Sequence, residues 1–161
     1  MTTEQRIELA EDQLTRVLGF FGRVDSKASV VLAIDTGMLA YLVAHATPVE
    51  ELTAGAAAAG VLAVVCLAVS LCYLYRGGTP DLHGGQRSLV YFREIAARTE
   101  INFVDEYLDV ADEAYLKDLL GQVWRNSCIL SNKFNHVEAA LRWVAIALAP
   151  WLIALALFPS N

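Results

Sequence analysis

One acidic side chain lies inside the first long apolar run of the chain. The run VDSKASVVLAIDTGMLAYLVAHA, residues 24–46, carries Asp35 well inside it and Lys27 eight positions earlier. Two chemistries fit such an acid: a structural hydrogen bond to Thr36, Ser70 or another span, or a carboxylate that lines a water-filled seam between helices. Because eight positions separate Asp35 from Lys27 on one helix, the two cannot pair directly. The partner of Asp35 must therefore be a residue other than Lys27.

The other ionisable residues form no catalytic or metal-binding pattern. His45, His83 and His136 lie in separate segments without the HExxH spacing of a zinc site. The phosphate-binding pattern GxxxxGK[ST] and the nucleophile pattern GxSxG are both missing from the sequence. We therefore predict that the chain is not an enzyme and that it holds no metal or cofactor.

The elements that must position these residues are apolar helices. The chain has 161 residues, of which 56% are hydrophobic and 19% charged, and its mean hydropathy is +0.43. Soluble domains average about 25% charged residues, and here the apolar residues are gathered into three blocks. This distribution indicates a membrane protein. The net charge of −6 argues against a nucleic-acid polymer as partner, because phosphate backbones require a basic surface.

Each apolar block is a candidate membrane span. About 20 apolar residues cross a hydrocarbon core, so we predict transmembrane helices at 28–46, 52–75 and 141–158. An amphipathic helix over 1–27 precedes them, and a cytoplasmic helical region over 76–140 separates the second span from the third. The predicted fold is an all-α membrane protein with three transmembrane helices.

The basic residues predict the orientation of these spans. The loop between the first two spans, HATPVEEL, contains no Lys or Arg, whereas the other flanks are basic. The positive-inside rule therefore places the N-terminus and the region 76–140 in the cytoplasm and the C-terminal PSN outside.

Two apolar seams with alternating spacings of three and four predict helix packing outside the spans. The first seam comprises Ile7, Ala10, Leu14, Val17, Phe21, Val24 and Ala28. The second belongs to one continuous helix from about Glu113 through the third span and comprises Leu116, Leu120, Val123, Ser127, Leu130, Phe134, Val137 and Leu141. Small residues on the second span also allow close helix contact. The seams can pack within one chain, between copies of the chain, or both.

Three short elements, in this order and spacing, resemble the transmembrane effectors of the Pycsar antiphage system. They are VDSKASVVLAID, then YFREIA followed by FVDEY, and then QVWRNSCILSNKF leading into the last span. The resemblance covers nearly the whole chain. It implies a multi-pass protein of the bacterial inner membrane that responds to cyclic UMP or cyclic CMP made by a pyrimidine nucleotide cyclase. It also implies that the protein then impairs the membrane during abortive infection.

The resemblance carries over to particular residues. The family's D-x-K-A element and its intramembrane acid match Asp25, Lys27 and Asp35, which we take as candidates for membrane contact or gating. Its aromatic pair matches Tyr91 and Phe92, and the Gln…Lys spacing of its last helix matches Gln122 and Lys133. Arg93 departs from the small residue that often follows the aromatic pair. This departure bears on the identity of the ligand.

A cyclic mononucleotide requires a cation for its phosphate, a stacking face for its base and a pocket that excludes water. The candidate cations are Arg87, Arg93, Arg98, Arg125 and Lys133. The candidate stacking faces are Tyr91 and Trp124, and Asn126, Asn132 and Asn135 could read a pyrimidine edge. Each basic residue could instead be a topology signal on a solvated helix face.

Three functions remain open at the level of sequence. The first is a membrane effector gated by a cyclic pyrimidine nucleotide, which acts as a homo-oligomer on the lipid bilayer. The second is a non-enzymatic membrane scaffold whose cytoplasmic helices bind another protein. The third is a small transporter or channel with constitutive flux, which three spans without an inverted repeat make less favourable.

Overall fold

The computed structural model describes residues 1–45, 53–79 and 84–157. Within these ranges the chain forms α1 (Thr3–Ala44), α2 (Ala54–Gly78), α3 (Phe92–Ala96), α4 (Glu100–Asp109) and α5 (Asp112–Leu157). No strand occurs in them, and the prediction of an all-α fold is confirmed there. Most of the loop predicted between the first two spans, His83 and the C-terminal PSN lie outside the described residues.

Three of the helices are long and apolar enough to cross a membrane. They are α1 with 42 residues, α2 with 25 and α5 with 46. This confirms the prediction of three helices able to span a bilayer. The predicted N-terminal helix and the first predicted span are one uninterrupted helix, α1. The last helix also runs without a break from the polar region into the third apolar block, through the buried Pro150.

The starts of the helices follow from short polar residues that cap them. Thr2 Oγ1 accepts a hydrogen bond from the Gln5 N–H (3.3 Å), and Gln5 Oε1 accepts one from the Thr2 N–H (3.0 Å). This reciprocal pair is a capping box and fixes the start of α1. Thr53 and Thr99 cap α2 and α4, since each side chain accepts from the backbone N–H three residues later.

The chain divides into two compact units. The first, here called the polar unit, comprises Met1–Arg23 and Pro80–Asn132 and contains α3, α4 and the N-terminal parts of α1 and α5. The second, here called the apolar unit, comprises Val24–Thr79 and Lys133–Asn161 and contains α2 with the remainders of α1 and α5.

The buried face of α1 repeats every seven residues. Ala10, Val17, Val24, Val31 and Met38 are each at most 7% exposed. A strict seven-residue repeat keeps one seam of a helix against its neighbours. The seam predicted for the N-terminal segment is therefore confirmed. It also continues through the apolar part of the helix, where the interleaved positions include Asp35 and Leu42, both buried.

The seam predicted for α5 is partly wrong. Leu120 and Leu141 are 51% and 53% exposed, and Ser127 is exposed as well. Val137 of the predicted seam is buried, and the other buried residues of this line are Leu119, Gln122, Ala140 and Val144. Apart from Ser127, the prediction followed large apolar residues. The buried side of this helix contains a hydrogen-bonded polar residue and a small one, which a search for large apolar residues does not select.

Candidate functional site

A hydrogen-bond network in the polar unit is centred on the buried side chain of Ser88. Its Oγ donates to Asp118 Oδ2 (2.9 Å) and accepts from Gln122 Nε2 (3.0 Å), both on α5. The same oxygen accepts from the backbone N–H groups of Val90 (3.1 Å) and Tyr91 (2.9 Å). Ser88 therefore fixes the segment that precedes α3 against α5.

Arg98 anchors the same segment from its other side. Its Nη1 donates to the backbone oxygens of Ser88 (3.1 Å) and Glu94 (2.6 Å), and its Nε donates to Glu106 Oε2 (2.9 Å) on α4. The Arg98 side chain is only 12% exposed. These bonds join Ser88, α3 and α4 into one body, which indicates a structural role for this guanidinium.

Two adjacent glycines allow an arginine and a tyrosine to approach the backbone. A Cβ on Gly85 would lie 2.2 Å from Arg125 Nη1, and a Cβ on Gly84 would lie 1.9 Å from the Tyr91 ring. Only residues without a side chain permit contacts this close. The Arg125 guanidinium is therefore seated directly on the backbone at Gly85.

Arg125 also carries a buried hydrogen-bond donor without a partner. Within the described residues, its Nη1 is buried and makes no hydrogen bond. Buried donors are nearly always paired, and an unpaired one at a charged group indicates a site that an anion or water completes. Among the basic residues considered from the sequence, this observation singles out Arg125.

Beside this network lies an open cleft of ≈ 510 Å³. Its volume is in the range of pockets that hold small ligands. Arg125, Lys117 and Arg87 contribute positive charge to its lining, Asp118 contributes the acid of the Ser88 network, and Tyr115 contributes an aromatic ring. The cleft can therefore offer two things that a small organic anion requires, namely cations and an apolar face.

Tyr115 connects this cleft to α1. Its phenol donates a hydrogen bond to Glu11 Oε1 (3.3 Å). Burial raises the pKa of Tyr115, and its neighbours Tyr107 and Glu11 raise it further. The phenol therefore keeps its proton and remains a donor to the α1 carboxylate. A ligand that contacts the ring in the cleft would act directly on this contact with α1.

The structure brings together only part of the predicted ligand set. Tyr91, Arg98 and Gln122 surround Ser88, and Arg125 lines the adjacent cleft. Of the two stacking faces predicted, Tyr91 packs on Gly84 and Trp124 is 69% exposed.

The other predicted contacts lie away from the cleft lining. Phe92 is 64% exposed, and Arg93 and Asn132 are exposed as well. Asn126 donates to the backbone oxygen of Gln122 within α5 (2.8 Å), and Asn135 is exposed.

The sequence reasoning missed Ser88, Tyr115, Lys117 and Asp118. A signal for the last of these was available, because Asp118, Gln122 and Arg125 recur at spacings of four and three, so that they share one face of a helix. A polar stripe with the spacing of a buried seam indicates a hydrogen-bonded site. No comparable signal marks Ser88, which lies in an irregular segment.

In the apolar unit, two residues predicted for different roles form an ion pair. Lys133 Nζ, a predicted ligand contact, lies 2.7 Å from Asp25 Oδ1, a predicted gating residue. Next to this pair, Lys27 Nζ lies 5.5 Å from the centroid of the Phe134 ring, a cation–π distance. These contacts join α1 to α5 where the apolar part of α1 begins.

Asp35 is fully buried and bonded to α2. Ser70 Oγ donates to Asp35 Oδ2 at 2.7 Å, and both residues are 0% exposed. Thr36 donates instead to the backbone oxygens of Leu32 (2.8 Å) and Ala33 (3.1 Å) of its own helix. Of the partners considered, Ser70 is therefore the one that the structure shows. Asp35 Oδ1 is buried and has no hydrogen-bond partner within the described residues.

Comparison with known proteins gives two matches. A family model for the Pycsar effector protein domain matches residues 9–160 of the chain. The Pycsar effector protein GmPycTM of Gulbenkiania mobilis is 24% identical over 106 residues, which cover 61% of the chain and 54% of that relative. The chain thus spans about half the length of this curated relative. No solved structure matches the chain significantly.

Proposed function

The chain belongs to the Pycsar effector protein family, and from this premise we propose that it is a membrane effector triggered by cyclic UMP or cyclic CMP. The family resemblance read from the sequence is confirmed. Its membership of this family supports the proposal that it is an antiphage defence effector, and three of its helices are able to span a membrane. The response to a cyclic pyrimidine nucleotide and the damage to the membrane are our proposal.

The observation that carries the proposal is Arg125, which lines the cleft of the polar unit and whose guanidinium, seated at Gly85, has a buried donor without a partner among the described residues. A cyclic mononucleotide has one negative phosphate, which a seated guanidinium can neutralise with charge-assisted hydrogen bonds. We place the phosphate at Arg125, with Lys117 and Arg87 as the neighbouring cations and the Tyr115 ring as the stacking face for the base. The nucleotide would be the product of a pyrimidine nucleotide cyclase, which is the effector's functional partner.

The Tyr115–Glu11 hydrogen bond supports a route from ligand to membrane. Tyr115 lines the cleft, and Glu11 lies on α1, which continues as an unbroken helix into its apolar part. A ligand that moves Tyr115 would therefore act on a helix that enters the bilayer. We propose that the bundle of α1, α2 and α5 then loosens and makes the inner membrane leaky.

The exposed apolar face of α4 supports assembly into a homo-oligomer. Ile101, Val104 and Leu108 are 72%, 44% and 79% exposed, and α4 is not one of the three helices able to span a membrane. Apolar patches of this kind outside a bilayer indicate contact with protein. The same face fits the second candidate function, a scaffold that binds a different protein.

Isothermal titration of the detergent-purified protein with cCMP and cUMP, and with cAMP and cGMP as controls, tests the proposal. We expect saturable binding of one pyrimidine nucleotide and none of the purine nucleotides. Binding of none of the four would contradict the nucleotide response. A pull-down that captures a stoichiometric protein partner would then favour the scaffold.

A further inference from the structure

Asp35 is the sole Asp, Glu, Lys or Arg in the apolar stretches that the structure describes, at 28–45, 54–75 and 143–157. Apart from His45, which directly follows α1, the other side chains of these stretches are uncharged. Charged residues in such positions generally face a bundle interior or a water-filled path. The charge that a permeating ion would meet there is therefore that of a single acid in each chain.

The surroundings of this acid describe a closed state. Asp35 and Ser70 are both 0% exposed, so neither lipid nor water reaches the carboxylate in the described conformation. Ser70 satisfies one carboxylate oxygen, whereas Oδ1 is buried without a hydrogen-bond partner in the described part of the chain. An unsatisfied oxygen of this kind is a costly feature in an apolar bundle. Once α1 and α2 separate at Ser70, water or a cation could reach Asp35 Oδ1 and bind to it.

We propose that Asp35 makes the opened lesion selective for small monovalent cations over anions, an inference that rests on the proposed function. A carboxylate oxygen and a hydroxyl oxygen attract cations and repel anions, and acidic side chains play this part in cation channels. No group of three or more His, Cys, Asp or Glu side chains able to hold a metal occurs among the described residues, so Asp35 acts there as a single charge. K⁺ and Na⁺, which a single carboxylate attracts without a chelating set of ligands, are the cations concerned.

The test is the reversal potential of the full-length protein in planar lipid bilayers under a KCl gradient, after addition of cCMP or cUMP. For the wild type we expect a reversal potential displaced towards the K⁺ equilibrium potential. For Asp35→Asn, whose amide oxygen can still accept from Ser70, we expect a reversal potential near zero. Cation conduction should then fall severalfold, to the level of anion conduction.

Three variants separate charge from packing. Asp35→Glu keeps the charge and should remain cation-selective. Ser70→Ala removes the hydroxyl that bonds Asp35 but keeps the carboxylate, and should also remain cation-selective. Arg142→Gln removes an exposed charge at the start of the third apolar block and should leave the reversal potential unchanged.

The outcomes distinguish this inference from the proposed function. A nucleotide-triggered current that reverses at zero in the wild type would overturn the selectivity and leave the nucleotide response intact. Selectivity that persists in Asp35→Asn, or loss of all current in that variant, would also overturn it, because the acid would then have no role or only a gating role. Absence of any current with either nucleotide would contradict the proposed function, and the selectivity with it. A wild-type current that reverses at zero overturns the inference even where a variant fails to insert, and Asp35→Glu and Ser70→Ala test the acid independently of Asp35→Asn.

Discussion

Gly85 determines the position of the Arg125 guanidinium in the polar unit. Its missing side chain lets the Arg125 guanidinium rest on the backbone, and Arg125 is the residue to which we assign the phosphate. From the sequence, Gly84 and Gly85 are ordinary members of a turn-rich segment. The structure shows that each leaves space for one side chain, Tyr91 for the first and Arg125 for the second.

We predict that Gly85→Ala weakens nucleotide binding with little loss of stability. The new methyl group would displace Nη1, which is the far end of a flexible side chain and can move at low cost. Gly19→Ala on α1 is the matched control, because its Cβ would meet nothing within 4 Å, Gly19 lies outside the cleft lining, and Ala favours a helix by about 1 kcal/mol. Titration calorimetry and thermal unfolding in detergent measure the two effects. Equal affinities for the two variants would contradict the seating of Arg125.

Arg125→Ala should lower affinity for the nucleotide more than any other change to a basic residue. Hydrogen bonds to a charged group contribute about 1.5–3 kcal/mol. Their loss corresponds to a dissociation constant that is roughly ten- to hundredfold higher. Arg93→Ala serves as the control, since Arg93 is exposed and lies outside the cleft lining. Titration calorimetry measures both affinities. A comparable loss of affinity in Arg93→Ala would contradict the placement of the phosphate in the cleft.

Ser88→Ala should destabilise the polar unit. It would leave Gln122 Nε2 without its bond to Ser88 in a buried position, at a cost of about 1–3 kcal/mol. Ser127→Ala removes a hydroxyl that is exposed and bonds only within its own helix turn, and should be nearly neutral. Chemical denaturation followed by circular dichroism compares the two. Similar midpoints would show that the Ser88 network contributes little.

The sequence allowed part of this site to be predicted. Gln122 was selected because it matches a residue of the family that the chain resembles, and Arg125 was selected because it is a cation near the last span. The cleft itself could not, since Ser88 reaches α5 through an irregular segment whose path depends on hydrogen bonds 30 or more residues apart in sequence. Arg98 was selected for its charge as a ligand contact, which stays a prediction, and its hydrogen bonds hold the segment together.

At the level of elements, α1 and α5 are the two helices that contribute to both units. The Asp25–Lys133 pair lies in the apolar unit and joins these helices there. Its position explains why Lys133 is absent from the cleft lining. The pair is therefore suited to holding these two helices together.

We predict that Lys133→Asp leaves the affinity for the nucleotide unchanged but weakens the growth arrest that the nucleotide triggers. The side chain of Asp25 is 60% exposed, so the pair should contribute below about 1 kcal/mol to stability. The double variant Asp25→Lys with Lys133→Asp restores opposite charges and should recover activity that both single variants lose. Titration calorimetry and growth curves in cells that make the nucleotide test this. If the double variant does not recover the growth arrest, the Asp25–Lys133 pair has no role in it.

The lengths of the long helices could be predicted better than the face that α5 buries. Apolar blocks and seven-residue spacing gave α1 correctly, because its buried positions are apolar over most of its length. On α5 the buried face turns by one position from the predicted seam, since Gln122 and Ala140 are buried and Leu120 and Leu141 are exposed. Whether a large apolar residue faces lipid, protein or another copy of the chain is decided by the neighbouring helices, which periodicity alone does not identify.

At the scale of the whole molecule, the exposed apolar face of α4 is where we expect copies of the chain to contact one another. We predict that Ile101→Ser combined with Leu108→Ser reduces the oligomer to smaller species in detergent while binding of the nucleotide persists. Both side chains are mostly exposed, so their loss should scarcely affect the fold. Light scattering after size-exclusion chromatography measures the mass, with Phe92→Ser as a control for an exposed apolar residue outside α4. An unchanged mass would place the contact between copies elsewhere.

The Asp35–Ser70 bond also has a consequence for biosynthesis. Asp35 leaves the ribosome before Ser70, which lies 35 residues further along the chain. A charged residue in the middle of a span raises the cost of insertion by about 2.5–3.5 kcal/mol, and α1 on its own has no partner to offset it. The strongly apolar α2 brings that partner. The first two helices should therefore enter the bilayer as a hairpin, and a nascent chain that ends before Ser70 should be released from the translocon without integrating.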